Sequence, residues 1–137
     1  SGRYALFPDL HLAFLEKCKR QCDFLIVGVD TDSLVKKDKG ETRPIIPETQ
    51  RAVMLNALKC VDAVFLMDNT DDFLKATKEL GVSTLFKNDR FKPEEVIGRE
   101  YAQVVIVPDV RIPASTSEII QECSRRMKAD ANLQVAK

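Results

Sequence analysis

Phe24-Leu25-Ile26-Val27-Gly28-Val29 and Val104-Val105-Ile106-Val107 carry no polar side chain at any position. A strand with one wet face alternates apolar and polar residues, so unbroken runs suit strands of a parallel sheet covered by helices on both faces. Three further short runs, at residues 4–7, 63–67 and 84–86, each precede a turn signal and a segment of helical period. Leu12, Leu15, Cys18 and Cys22 share one helical face, as do Val53, Met54, Ala57, Leu58 and Val61, and each stripe is expected to seat on the sheet. Strands alternating with helices predict a three-layer α/β domain, in which ligands bind outside the carboxyl ends of the strands.

The rest of the composition narrows the class. A chain of 137 residues is long enough for one core, and its 45% apolar and 31% charged content is that of an ordinary globular domain. Lys and Arg number 21 and Asp and Glu number 21, so no net field draws the protein to a polyanion; nucleic acid and membrane surfaces are not expected partners. No apolar run approaches the ~18–20 residues of a bilayer span, and no secretory leader pattern opens the sequence, which predicts a cytoplasmic protein. Cys18, Cys22, Cys60 and Cys123 lack zinc-ligand spacing and read as free thiols, and His11 is not placed to join them, so no protein-built metal site is expected.

Helix boundaries have local support. Pro47-Glu48 suits a first turn, Thr70-Asp71-Asp72 offers a cap before Phe73, Gly81 suits a helix end, and Ser115-Thr116-Ser117-Glu118 offers a cap to a last helix with Ile119, Ile120, Cys123 and Met127 on its apolar side. The domain is expected over residues 1–129, with a tail at 130–137. Gly28 and Gly40 are isolated, which removes the dinucleotide-binding and P-loop glycine motifs. What remains is a set of segments after the strands: Phe7 to His11, Lys36-Lys37-Asp38-Lys39-Gly40 with Arg43-Pro44, Lys87 to Arg90, and Arg111 before Ser115-Thr116-Ser117. Basic groups gathered on one sheet edge suit a phosphate-bearing ligand.

Those segments, together with Asp23 to Asp30, Glu48 to Arg51, Val61-Asp62, Phe86 to Gly98 and Ser115 to Ile120, resemble the cytidylyltransferase-type nucleotidyltransferases over nearly the whole chain. The later segments look most like the heptose-phosphate adenylyltransferase branch, with glycerol-3-phosphate cytidylyltransferase next. The resemblance implies a Rossmann-like αβα sandwich with a five-stranded parallel sheet of order 3-2-1-4-5. It also implies transfer of a nucleotidyl group from ATP or CTP, bound with Mg²⁺, to a sugar- or polyol-phosphate, and a homodimer. By the same resemblance His11, Lys36, Lys37 and Lys39 serve catalysis at the triphosphate, while Phe7, Arg43, Arg51, Lys87, Arg111, Ser115, Thr116 and Ser117 bind the nucleotide.

The family signature, G-x-F-D-x-x-H-x-G-H, is altered here. A gapless threading puts Ser1-Gly2 at its start and Pro8 at the first histidine; a shortened-loop threading makes residues 4–7 the first strand and keeps only His11. The second fills the central slot of the sheet and is the expected one. Either way one of two histidines is lost, and removing one preorganised donor costs ~10²–10³ in rate. Two functions therefore stand: a nucleotidyltransferase of impaired activity, and a catalytically inactive nucleotide-binding or scaffold domain of the same fold.

Overall fold

The computed structural model describes residues 2–7, 12–108 and 116–135. In chain order the elements are β1 (Gly2–Phe7), α1 (Leu12–Arg20), β2 (Phe24–Asp30), α2 (Asp32–Lys39), α3 (Glu48–Asn56), β3 (Ala63–Met67), α4 (Thr70–Glu79), β4 (Thr84–Lys87), a 3₁₀ turn (Pro93–Glu95), β5 (Gln103–Ile106) and α5 (Thr116–Val135). The strands form one parallel sheet in the order β3-β2-β1-β4-β5. β1 lies between β2 and β4, with Phe7 level with Val29 and Ala5 level with Phe86. The α/β class and the parallel pairing agree with the unbroken apolar runs.

Period-2 alternation within β2 builds two cores. Leu25, Val27 and Val29 pack with Phe14, Leu15 and Cys18 of α1 and Leu55 of α3. Ile26, from the opposite face, packs with Met67, Leu85, Val96 and Phe73 of α4. Both faces of the sheet are thus covered, as an all-parallel sheet requires. Gly28 belongs to the second face, where a β-carbon would come within 2.8 Å of the Met67 sulfur and 2.9 Å of Phe65, so this strand leaves room for β3's side chains by omitting its own.

Helix α4 is bounded by local chemistry at both ends. The Asn69 side chain accepts the Asp72 N–H at 3.0 Å, and the Asp72 carboxylate accepts the Asp68 N–H at 2.8 Å. The cap is therefore Asn69, one residue before the expected Thr70. At the other end Gly81 stands at φ 59°, with its N–H to the Lys78 carbonyl and the Val82 N–H to the Thr77 carbonyl. This pair of bonds is a Schellman motif, and it bears out Gly81 as the stop.

Several expectations are corrected. In α1 Phe14 is buried and Leu12 exposed; in α3 the buried side chain is Leu55, while Val53 and Met54 point to solvent. A stripe read from spacing alone can be rotated by a residue, because which flank meets the sheet is set by the helix's docking. The run at 104–107 is only half-buried over β5, because that strand lies at the sheet edge. Helix α5 continues beyond Ala129 to Val135, and Cys123 and Met127 are exposed rather than seated on the sheet. Cys18, Cys22, Cys60 and Cys123 are free thiols. Among the described residues no helix is long and apolar enough to cross a membrane.

Candidate functional site

Strands β2 and β4 each run one residue beyond their apolar stretch, ending in Asp30 and Lys87. Both are buried, at 9% and 5% exposure, on the α4 side of the sheet's carboxyl edge. Burial pushes the Asp30 carboxyl above its ordinary range; Asp38 adds to this, and Lys87, Arg51 and Lys39 oppose it. Burial likewise brings the Lys87 ammonium down to about 8, against the upward pull of Asp30. The Lys87 Nζ lies 4.7 Å from the Phe91 ring centroid and 5.0 Å from that of Phe73, within reach of both ring faces.

After Asp30 the chain turns into α2. The Thr31 N–H donates to the Met67 carbonyl at 2.9 Å, and its hydroxyl accepts from the Leu34 N–H at 3.4 Å, which starts the helix. The Lys36–Lys39 segment, expected as a loop, is the last turn of α2, where cations face the negative end of the helix dipole. The Gly40 N–H then closes the helix on the Lys36 carbonyl at 2.8 Å.

Helix α3 begins after Pro47, which has no side-chain cap to offer. Asp32 supplies it from α2: its Oδ1 accepts the Glu48 N–H at 2.9 Å and the Arg51 guanidinium at 2.8 Å. Arg51 also donates from Nε to the Ile46 carbonyl at 3.0 Å. Arg51 is thereby a clamp between α2, α3 and the segment that carries Arg43.

Two cavities open at this edge, and Asp30 lines both. The larger, about 370 Å³, brings together Asp38, Lys39, Arg43, Arg51 and, from the first two turns of α5, Ile119 and Ile120. The smaller, about 190 Å³, is lined by the charged and polar Asp30, Lys87, Glu95, Asn69 and Thr70 and by apolar walls that include Leu34, Met67, Phe73 and Phe91.

Of the residues singled out in the sequence, Lys39, Arg43 and Arg51 thus meet on one cavity and Lys87 on the other. Lys36 and Lys37 are exposed on the same helical turn without lining either cavity, and Ser117 is exposed in the first turn of α5, which Thr116 opens. Phe7 ends β1 at the same edge. His11, Arg111 and Ser115 lie outside the described residues. Asp30, Phe73 and Phe91, which line the smaller cavity, and Asp32, which caps α3, are not among the residues that the sequence singles out. An acid directly after a buried strand was the available signal for Asp30, whereas nothing local marks the two phenylalanines. Among the described residues no group of three His, Cys, Asp or Glu side chains could hold a metal ion.

The profile of the cytidylyltransferase-like family matches residues 1–127. The bifunctional protein HldE of Helicobacter pylori strain P12 is 36% identical over 125 residues, covering 91% of this chain and 27% of the relative. HldE of Citrifermentans bemidjiense is 43% identical over 103 residues, covering 75% and 21%. The chain thus spans about a quarter of the length of these relatives. Among solved structures, that of the lipopolysaccharide core biosynthesis protein from Thermoplasma volcanium GSS1 is similar, with a TM-score of 0.63, 26% identity, and coverage of 81% of this chain and 97% of that one.

Proposed function

The chain belongs to the cytidylyltransferase-like family, on the branch its later motifs resemble, and from that membership we propose that it binds a Mg²⁺-nucleotide, ATP or CTP, and transfers the nucleotidyl group to a sugar- or polyol-phosphate. An acceptor phosphate oxygen forms the new bond to the α-phosphorus, the bond from that phosphorus to the bridging oxygen breaks, and its electron pair leaves with pyrophosphate. No covalent enzyme intermediate is needed; positioning and charge stabilisation suffice.

The observation that supports this most is the larger cavity, where Lys39 and Arg43 share a lining with Ile119 and Ile120 near the start of α5. A helix start and a pair of cations are two independent attractions for a triphosphate. Mg²⁺ is part of the substrate here. Asp30 and Asp38 are the cavity's carboxylates, and one or two carboxylates beside phosphate oxygens fit a hard cation of this size. His11, Lys36, Lys37, Arg111, Ser115, Thr116 and Ser117 complete the nucleotide site in this reading, which also takes the protein as a cytoplasmic homodimer.

Calorimetric titration with Mg²⁺-ATP and Mg²⁺-CTP tests it. One nucleotide is expected to bind, at least tenfold more weakly to Lys39→Ala and Arg43→Ala; binding of neither at millimolar concentration removes the reading. The altered signature favours a second function, a nucleotide-binding scaffold, because the Phe7 to His11 segment retains one histidine. A pyrophosphate-release assay separates the two. Turnover ~10² below that of a relative with both histidines is expected for the impaired enzyme, and no turnover on any phosphate acceptor for the scaffold.

A further inference from the structure

Helix α5 is long and almost uncovered. From Ser117 to Gln134 only Ile120 and Glu122 are partly shielded, and no side chain is buried. Among the described residues no other element packs broadly against it. A lone helix of 20 residues is marginal in water, and helices of folded proteins owe most of their stability to an apolar face packed on a partner. Such a face is present here: Ile119, Cys123 and Met127 recur at i, i+4 and i+8, with Ile119 52% and Met127 71% exposed.

Shape and charge together say what covers it. Ile119, Glu122, Cys123 and Arg126 line, with Glu118, a shallow groove of about 290 Å³. Positions i, i+3, i+4 and i+7 are the corners of a hole that takes one knob side chain from a facing helix. Met127, one turn on and the most exposed large apolar side chain among the described residues, is such a knob, so a second copy supplies the filler. Glu122 and Arg126 each stand one residue ahead of a stripe residue and so share one flank, where within one copy they pair at 2.8 Å. On a parallel partner each would face its like, whereas an antiparallel partner reverses the order and sets each cation against an acid. The formal net charge is zero, so no overall repulsion keeps two copies apart.

We propose that α5 pairs antiparallel with α5 of a second copy of this chain. Met127 of each copy seats among Ile119, Glu122, Cys123 and Arg126 of the other, and Glu122 faces Arg126 on both sides of the twofold axis. The pairing gives the homodimer of the transferase reading its interface, but it rests on α5 and not on any nucleotide.

Sedimentation of the full chain over a concentration series, without nucleotide, tests it. A monomer–dimer equilibrium is expected, weakened at least tenfold by Met127→Ala, which removes the knob and keeps a good helix former. Glu122→Arg and Arg126→Glu should each weaken it at least tenfold, since each sets like charges across the axis. An equal mixture of those two variants should regain dimers, which no repair within one helix can do, while circular dichroism shows each fold retained. A dimer unchanged by all three substitutions overturns this interface and leaves the homodimer standing. A mixture no more associated than its components overturns the antiparallel pairing. A chain monomeric at every concentration overturns both interface and homodimer, and the nucleotide titration still decides the transferase reading by itself.

Discussion

Lys87 is the residue at which burial and charge oppose each other. Its ammonium is held charged in a buried place, with Asp30 the opposing charge from β2 and Glu95 on the same cavity's wall. A folded-state value of about 8 against 10.5 for the free side chain means that the folded protein binds fewer protons than the unfolded chain between those values. The resulting penalty is complete below pH 8 and relieved as pH rises toward 10.5. Lys87→Met is therefore expected to raise stability at pH 7 by about 3 kcal/mol, with the gain shrinking above pH 8. Denaturant titrations of both proteins at pH 7 and pH 9.5 check this. A variant less stable than the parent at pH 7 would show that the ring contacts outweigh the cost of burial.

At the scale of elements, the opposite edge of the sheet is held by Asp62. Its Oδ2 accepts the Leu25 N–H at 2.7 Å and the Lys19 ammonium at 2.6 Å, and Lys19 also donates to the Asp23 carbonyl at 2.7 Å. The end of α1, the start of β2 and the approach to β3 are joined by one carboxylate. Burial tends to raise that carboxyl, but the Leu25 N–H and Lys19 outweigh it and hold it below its ordinary range. A depressed carboxylate contributes stability above its unfolded value, near pH 4, and loses it as pH falls through the folded value. Asp62→Ala is expected to cost about 1–2 kcal/mol at pH 7 and to flatten the acid limb of the stability profile. Thermal melts from pH 7 to pH 3 measure both; an unchanged acid limb would mean that Lys19 and Leu25 find water equally good. The same logic at the other edge explains α3, where Asp32 replaces the cap that Pro47 lacks.

At the scale of the whole molecule, a ligand that binds only the folded state must stabilise it. Mg²⁺-ATP or Mg²⁺-CTP at 100 times its dissociation constant adds about 2.7 kcal/mol, a rise of roughly 8–10 °C in the melting midpoint for a domain of this size. Differential scanning calorimetry measures it, and a midpoint unmoved by either nucleotide sinks the ligand reading. How far such a site could be read in advance differs with its parts. The buried run of β2, the Gly81 stop and the Pro47-Glu48 start were legible from local pattern, because periodicity and backbone preference are properties of neighbours in the chain. Helix α2 is not legible in the sequence although Thr31 caps it, because its eight residues carry no apolar stripe long enough to show a period. By itself, then, the sequence determined the α/β class, which residues leave water within β2 and β4, and the family. Only the tertiary structure decided that Arg51 is a clamp, that Val53 and Met54 face outward, and that Asp30, Lys87, Phe73 and Phe91 share one cavity. The physical reason is that hydrophobic pattern encodes which side chains are buried, whereas convergence of strand ends depends on β2 and β4 flanking β1 in parallel register, a relation between segments far apart in the chain.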